Sequence, residues 1–269
     1  MSNLPLVSIV TPSFNQASFI ENCILSVINQ DYPHIEYIIF DGGSTDGSID
    51  IIKKYESKLT FWKTEKDRGQ SHAINKGWEM SKGELLFYLN SDDLLCLPNA
   101  ISKIVKLYQM HPQGSVFYGD CKIIDENGNF VKLMTAKPAT TQILTQKRIF
   151  ADLFYQTAAF FNAKYLKETG FLEENLHYSM DLELVLRLST LGEMYSINEP
   201  IACFRTHKDQ KSNVGVKYQN IESAKIKARY NKLDGLIHLF HHLKFLFFLQ
   251  LPIFIQKRLK PALYERYKR

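Results

Sequence analysis

The sequence contains little cysteine, and what it contains is not arranged for a metal site or a disulfide framework. The four cysteines lie far apart in 269 residues and form no C-x-x-C pair: Cys23, Cys96, Cys121 and Cys203. A disulfide-stapled fold and a cysteine-rich zinc site are therefore excluded, and the spacing is typical of a protein in a reducing cytoplasm. Residues 1–5 include no basic segment leading into an apolar core, so no export signal is predicted.

The glycine-rich loops that bind phosphate in two common nucleotide-binding folds are also absent. No G-x-G-x-x-G follows the first apolar segment, and Gly42 and Gly43 are adjacent rather than spaced. No G-x-x-x-x-G-K-[ST] loop occurs in the sequence. A dinucleotide site of the usual kind and P-loop chemistry are therefore excluded.

An excess of positive charge is lacking over most of the chain, although the formal net charge is +5. Residues 256–269 hold six basic residues and one acidic residue, so residues 1–255 are formally neutral. Binding to a nucleic-acid backbone requires a basic face on the domain itself. Nucleic acid is therefore not an expected partner.

The most informative stretch that is present covers residues 83–93. Residues 85–89 are an unbroken apolar run, which predicts a strand buried on both faces in the middle of a parallel sheet. This strand leads to Asp92 and Asp93, and open α/β sheets bind ligands beyond the carboxyl ends of their strands. Adjacent carboxylates repel each other and phosphate unless a hard divalent cation lies between them. The alternative is that residues 91–93 only turn the chain before the next helix.

Apolar segments typical of strands alternate with segments of helical period in the first part of the chain. Strands are predicted at residues 7–11, 35–40, 59–63 and 85–89, and helices at 17–29, 49–55, 70–80 and 99–109. Alternation with short links predicts right-handed βαβ units. The predicted fold class is therefore α/β, with a mostly parallel central sheet flanked by helices.

The pattern changes after residue 111. The expected elements are a hairpin turn at residues 126–129, a loop or lid over the site at 135–160, helices at 180–191 and 217–232, and two short strands at 195–198 and 201–204. We divide the chain into a catalytic domain of residues 1–232 and a C-terminal helical appendage of residues 233–269.

Four polar residues are candidates for chemistry. Asp41 ends the second predicted strand and suits a hydrogen bond to a base or ribose, or else belongs to an Asp-Gly-Gly turn. Arg68 pairs with phosphate or forms a solvated loop pair with Asp67. Asp181, at the start of a partly buried helix, is a candidate general base or a simple helix cap. His207 is a candidate metal or phosphate ligand, although a lone histidine is more often neither.

Six motifs in this order resemble those of the family 2 glycosyltransferases, which have the A-type nucleotide-sugar transferase fold with a Rossmann-like nucleotide-binding half. They are V-S-I-V-T-P-S-F-N at residues 7–15, D-G-G-S-T-D-G-S at 41–48, D-R-G-Q-S at 67–71, L-N-S-D-D at 89–93, M-D-L-E at 180–183 and R-T-H at 205–207. A single motif of this kind is weak. Six in order, over about residues 5–210, are a strong signal.

The resemblance implies roles for residues on the nucleotide side of the site. Residues that follow the first two strands are expected to line the nucleotide pocket: Thr11, Pro12, Asn15 and Asp41. Arg68 is expected near the phosphates of the nucleotide. Asp92 matches the family position that holds the ribose.

The resemblance also implies a metal ion and a catalytic base. Asp93 matches the ligand of Mn²⁺ or Mg²⁺, and His207 is expected to complete the metal or diphosphate contacts. Asn90 departs from the family pattern, because it stands where an Asp-x-Asp motif has its first carboxylate. Asp181 matches the base that deprotonates the acceptor hydroxyl, and one displacement then inverts the anomeric configuration.

The function implied by the resemblance is transfer of a sugar from a nucleoside-diphosphate sugar, with a UDP-sugar as the expected donor. The expected acceptor is a hydroxyl of a saccharide or a lipid-linked molecule in surface polysaccharide synthesis. Two other classes stay open. A nucleotidyltransferase should carry a Gly-rich basic loop after its first strand, and a non-catalytic nucleotide-sugar-binding protein has no need of Asp181.

Residues 236–255 are largely apolar and lie directly before the basic cluster. His, Lys, Gln and Pro residues interrupt the run, which falls short of the ~20 mostly apolar residues that a spanning helix requires. The pattern favours an amphipathic segment on an anionic membrane surface, which places the protein at the inner face of the cytoplasmic membrane. The alternative is a helix packed on the core or at a dimer contact.

Overall fold

The computed structural model describes residues 4–146, 153–211 and 216–230. The first part of the chain alternates strands and helices in the order that the sequence predicts. Its strands are β1 (Val7–Ser13), β2 (Ile35–Asp41), β3 (Phe61–Thr64), β4 (Leu85–Tyr88) and the short β5 (Leu94–Leu95). Its helices are α1 (Ile20–Ile28), α2 (Ser48–Lys54), α3 (Gln70–Met80) and α4 (Ala100–Met110).

The second part of the chain begins with a hairpin, as predicted. Its strands are β6 (Val116–Ile124), β7 (Phe130–Met134), β8 (Ala159–Asn162) and β9 (Met194–Arg205). Its helices are α5 (Thr141–Gln146), α6 (Ala163–Thr169), α7 (Met180–Ser189) and α8 (Val216–Tyr230).

Within the described residues the strands form a nine-stranded sheet in the order β3-β2-β1-β4-β8-β6-β9-β5, with β7 paired to β6. The first four strands of this order are parallel to one another. β8 is antiparallel to both of its neighbours, and β9 is parallel to β6. The register places Ser13 beside Asp41, so the loops after β1 and β2 start at the same edge. The predicted α/β class, with a mostly parallel sheet flanked by helices, is confirmed.

Residues 135–160 were predicted to be a loop or lid, and that prediction is wrong where the chain forms α5 and where it enters β8. This strand lies between β4 and β6 in the middle of the sheet, and all four of its residues are buried. Phe160 and Phe161 pack into the two clusters on opposite faces of the sheet. A run as short as A-F-F-N has no measurable period, so its pattern alone does not distinguish a central strand from a loop.

The two short strands predicted at residues 195–198 and 201–204 are one continuous strand, β9. Its register with β6 shifts on both sides of Asp120, which lies beside Pro200. Proline has no N–H to donate to a neighbouring strand, and strand irregularities accommodate it. The Glu199-Pro200 pair therefore interrupts the ladder without ending the strand.

The hydrophobic core lies on both faces of the sheet, and β4 contributes to each. Leu85 and Phe87 pack with α1 and α4, whereas Leu86 and Tyr88 pack with α3 and α7. Every residue of β4 is at most 1% exposed. The prediction of a strand buried on both faces is confirmed.

The described ranges contain no helix that is both long and apolar enough to cross a bilayer. The predicted appendage of residues 233–269 and its boundary with the catalytic domain lie outside those ranges. Both therefore stay predictions.

Gly77 allows α3 to lie directly on β1, because a Cβ there would come within 2.4 Å and 2.6 Å of the two methyl groups of Val10. We expect Gly77→Ala to lower the free energy of unfolding by about 1–3 kcal/mol through overpacking. Combining it with Val10→Ala removes those methyl groups. The double variant should therefore lose less stability than the sum of the two single variants in denaturant titrations. Simple additivity would contradict this close approach.

Candidate active site

Asp41 holds the loop after β2 together from inside. It is 1% exposed and accepts backbone N–H groups from Gly43 at 3.0 Å and Ser44 at 2.8 Å. The hydroxyls of Thr64 and Ser44 also donate to it, at 2.7 Å and 2.5 Å. These four bonds match the turn interpretation of Asp-Gly-Gly, and they occupy most of the carboxylate's acceptor capacity. Its predicted contact with a nucleotide stays a prediction.

The other residues predicted for the nucleotide pocket lie at the end of β1. Asn15 has a positive φ of 52°, and its side-chain oxygen accepts the N–H of Thr45 at 2.9 Å, which joins the loops after β1 and β2. Pro12 is buried. Thr11 is fully buried, and its hydroxyl lies 3.1 Å from the Tyr37 hydroxyl, so its predicted place in the nucleotide pocket stays a prediction.

Arg68 lies on the loop before α3, which packs closely on the loop after β2. A Cβ added to Gly42 would come within 2.8 Å of a carboxylate oxygen of Asp67. The Arg68 side chain is 68% exposed and pairs with Glu174 at 2.7 Å. Its predicted role beside phosphates is therefore compatible with its exposure but is not tested by these contacts.

Asp93 is buried at the end of β4, with 1% of its surface exposed. It accepts the backbone N–H of Arg205 at 2.9 Å, the hydroxyl of Thr157 at 3.1 Å and the amide of Asn90 at 3.4 Å. Burial raises its pKa well above the usual range, and the nearby charge of Asp92 raises it further. Its oxygens are thus already engaged by the protein, which leaves the predicted role as a metal ligand without support from this geometry.

Asp92 is the more exposed of the two adjacent carboxylates, with 21% of its side chain accessible. Its Oδ2 lies 3.1 Å from Nε2 of His207. The His207 ring packs against Phe19 with 4.8 Å between ring centroids. Arg205 donates from Nε to the backbone oxygen of Asp92 at 2.9 Å, and its guanidinium lies 5.0 Å from the centre of the Phe19 ring.

The pair formed by Asp92 and His207 fits a divalent cation only if the substrate supplies further ligands. No group of three or more His, Cys, Asp or Glu side chains that could hold a metal ion occurs in residues 4–146, 153–211 and 216–230. One carboxylate oxygen and one imidazole nitrogen are nevertheless donors that Mn²⁺ or Mg²⁺ accepts. Such ions commonly take their other ligands from phosphates and water.

Asp181 is partly buried at the start of α7, and its Oδ1 accepts the N–H of the next residue, Leu182, at 2.8 Å. Burial raises the pKa of its carboxyl group, as does the charge of Glu222, while the ammonium group of Lys211 lowers it. A carboxylate with a raised pKa is a better proton acceptor than an exposed one. These properties suit the predicted general base.

A chain of polar side chains that the sequence analysis did not identify connects this region to Asp93. Lys211 donates to Oε1 of Gln70 at 2.9 Å, and Nε2 of Gln70 donates to Oδ1 of Asn90 at 2.7 Å. Asn90 in turn reaches Asp93. Asn90 stands where the motif of the resemblance has a carboxylate. Its side-chain amide accepts a hydrogen bond from Gln70 and donates one to Asp93. Gln70 belongs to the D-R-G-Q-S motif at residues 67–71, whereas Lys211 belongs to no motif.

The α7 helix also meets α3 directly at this edge. The hydroxyl of Ser71 lies 2.7 Å from Sδ of Met180, so the first turns of both helices are in contact. Both residues are buried. The helix that carries Asp181 is therefore packed beside the helix that carries Gln70, at the edge where β4 delivers Asp92 and Asp93.

A parallel half-sheet is joined to antiparallel strands, with carboxylates after β4 and at the start of α7, and solved structures of A-type glycosyltransferases have this fold. The structure of S. aureus TarS 1-349 in complex with UDP-GlcNAc is similar, with a TM-score of 0.68 and 17% identity over 84% of this chain and 66% of that chain. The structure of the mannosyltransferase PcManGT from Pyrobaculum calidifontis, in complex with GDP-Man and Mn²⁺, is also similar. Its TM-score is 0.62, with 17% identity over 85% of this chain and 64% of that chain. At these identities the likeness shows the fold alone.

Sequence comparison identifies the family. The profile of glycosyl transferase family 2 matches residues 8–170, which is more than half of the chain. The chain belongs to glycosyl transferase family 2. This confirms the resemblance based on the six motifs.

Three relatives show how this chain aligns within the family. An uncharacterized glycosyltransferase of Rickettsia felis is 27% identical over 77% of this chain and 35% of its own length. TuaG of Bacillus subtilis, named for teichuronic acid biosynthesis, is 41% identical over 33% of this chain and 36% of its own length. Chondroitin synthase of Escherichia coli is 25% identical over 74% of this chain and 29% of its own length. The matched parts cover about a third of the length of each of these relatives.

We expect Asp181→Asn to raise the melting temperature at neutral pH but not in acid. Because burial raises the pKa of Asp181, the charged carboxylate is less favourable in the folded protein than in the unfolded chain. This penalty is fully present above the folded-state pKa and disappears below the unfolded value of about 3.9. Asparagine retains an acceptor for the Leu182 N–H. Thermal unfolding from about pH 3 to pH 8 measures the difference, and a variant that is less stable at neutral pH would contradict this account of the site.

Proposed function

We propose that this protein is an inverting glycosyltransferase that moves a sugar from a UDP-sugar to a hydroxyl of a saccharide or lipid-linked acceptor in surface polysaccharide synthesis. Membership of glycosyl transferase family 2 supports sugar transfer. The UDP-GlcNAc in the TarS complex supports a uridine nucleotide, and the names of TuaG and chondroitin synthase support a polysaccharide product. Those names describe the relatives, so donor and acceptor are proposals for this chain.

The observation that carries the proposal is the position of Asp181 beside the edge where β4 ends. The contact between Ser71 and Met180 holds the start of α7 against α3. Lys211, whose charge acts on Asp181, is hydrogen-bonded to Gln70 and through it to Asn90. A base for an acceptor hydroxyl and the acidic end of β4 are thus parts of one connected region.

In the proposed step, the acceptor oxygen forms a bond to the anomeric carbon of the donor while the bond from that carbon to the diphosphate breaks. The hydroxyl proton passes to Asp181, and the bonding electron pair leaves with the nucleoside diphosphate. Attack from the face opposite the leaving group inverts the anomeric configuration. No second carboxylate is required as a nucleophile, in contrast to a retaining glycosidase.

Asp92 and His207 would hold Mn²⁺ or Mg²⁺ at the diphosphate. This assignment differs from the sequence prediction, which gave the ribose to Asp92 and the metal to Asp93. When bound, the cation supplies positive charge that offsets the charge developing on the leaving diphosphate. Arg205 keeps Asp92 in place through the bond from its Nε to the Asp92 backbone oxygen. Asp93 anchors the same turn from the buried side.

The proposed setting is the inner face of the cytoplasmic membrane, with a lipid-linked acceptor. Its support is the sequence of residues 233–269, where an interrupted apolar stretch precedes a cluster of basic residues. Each basic residue near an anionic surface contributes about 1 kcal/mol to binding, and salt weakens this attraction.

Hydrolysis of a panel of nucleotide sugars by the purified protein tests the proposed function. We expect slow release of UDP from one or a few UDP-sugars, and release should depend on Mn²⁺ or Mg²⁺. Asp181→Asn should retain nucleotide binding and reduce transfer to an added acceptor by about 10²–10⁴-fold, as is typical when a general base is lost. Full transfer by this variant, or full activity in EDTA, would contradict the proposed mechanism.

The two adjacent carboxylates should differ when each is replaced by alanine. Asp92→Ala should abolish the Mn²⁺-dependent part of UDP binding while leaving the melting temperature nearly unchanged, because Asp92 is partly exposed. Asp93→Ala should lower the free energy of unfolding by about 1–3 kcal/mol, because the Arg205 N–H and Thr157 hydroxyl lose their buried acceptor. Calorimetric UDP titrations with and without Mn²⁺, together with thermal unfolding, measure both. The reverse pattern would identify Asp93 as the metal ligand.

A further inference from the structure

The turn that leads into α7 is held by a carboxylate from a helix far along the chain. Three consecutive backbone N–H groups, those of residues 177–179, all donate to Glu222 of α8. The distances are 3.0 Å from His177 to Oε1, and 2.8 Å and 2.9 Å from Tyr178 and Ser179 to Oε2. Hydrogen bonds from backbone N–H groups to a carboxylate are charge-assisted and stronger than those to a neutral acceptor.

The same part of α8 also binds the side chain of Ser179, the residue before α7 begins. The buried hydroxyl of Ser179 lies 3.2 Å from the backbone oxygen of Gln219 and 3.0 Å from the hydroxyl of Ser223. Ser179 itself makes no side-chain cap on its own helix. The first turn of α7 is therefore positioned by groups from α8, and Asp181 is two residues further along.

We propose that Glu222 is a positioning residue for Asp181, holding the start of α7 so that the carboxylate stays in place to receive the acceptor proton. This inference rests on the proposed function. Glu222 does not touch the reacting atoms in this assignment. Its effect passes through residues 177–179 to the helix that they begin.

The attachment of α8 to the rest of the protein does not depend on Glu222 alone. Ile226 is fully buried in the core cluster that includes α7. Arg229 pairs with Glu173 at 2.6 Å, and the hydroxyl of Tyr230 donates to Glu183 at 3.0 Å. We therefore expect α8 to stay docked when Glu222 is changed, so that loss of positioning can be separated from loss of folding.

Glu222→Gln tests the proposal, because it retains the shape of the side chain but turns an amide toward N–H donors. The control is Arg229→Gln, which breaks a different polar contact of the same helix. Each kcat for transfer is divided by the fraction of protein that binds UDP in calorimetry, so unfolded protein does not count. We expect Glu222→Gln to lower this kcat by about 10- to 100-fold, as displacement of a catalytic group does. Its KM for the donor and the kcat of the control should stay near wild type.

A double variant supplies the readout that a purely structural role would not change. If Glu222 acts through Asp181, adding Glu222→Gln to Asp181→Asn should reduce kcat no further than Asp181→Asn alone. Losses that multiply would overturn the proposal. So would a normalised kcat for Glu222→Gln equal to that of wild type or of the Arg229→Gln control.

The pH dependence provides a second readout. Asp181 is faced by Glu222, whose charge raises its pKa, and by Lys211, whose charge lowers it. Removing the charge of Glu222 should therefore move the acid limb of the kcat profile to lower pH, whereas a limb moved to higher pH would overturn the proposal. A wild-type protein that transfers no sugar would instead contradict the proposed function, which separates the two failures.

Discussion

The buried carboxylate of Asp93 is the interaction on which the candidate site depends. One oxygen accepts the backbone N–H of Arg205 at the end of β9, and the other accepts the hydroxyl of Thr157, just before β8. The end of β4 is thereby tied to two strands from the second part of the chain. Burying a carboxylate is costly unless hydrogen bonds compensate it, and the raised pKa of Asp93 reflects that cost. Removing either donor would loosen the junction between the parallel and antiparallel parts of the sheet.

Because Asp93 is committed to this junction, its neighbour Asp92 is the carboxylate that can face a ligand. The two residues are adjacent in sequence but differ in exposure, and they have different partners. Phe19 contributes an apolar surface against which both His207 and Arg205 pack. The same turn therefore has one carboxylate held within the fold and another that is accessible.

The second half of the site is built by the chain beyond the residues that match the family profile, which end at residue 170. Asp181 lies on α7, and the turn before that helix is bound by Glu222 from α8. Lys211 acts on the same carboxylate and also contacts Gln70 at the start of α3. The turn that carries the proposed base is therefore bound by groups distant from it in sequence, whereas the raised pKa of Asp181 comes first from burial. Family membership alone says nothing about these contacts.

The sequence by itself determined the alternation of strands and helices through α4, the buried strand that ends in Asp92 and Asp93, and the identity of the family. Local hydrophobic period and ordered motifs carry that information, because each is expressed within a few residues. Only the tertiary structure decided that β8 lies in the middle of the sheet and that Asp41 and Asp93 are engaged by the protein. The same is true of the contact between Lys211 and Gln70, which are 141 residues apart. Such pairings depend on how distant elements pack, and burial then decides which carboxylates stay available for chemistry.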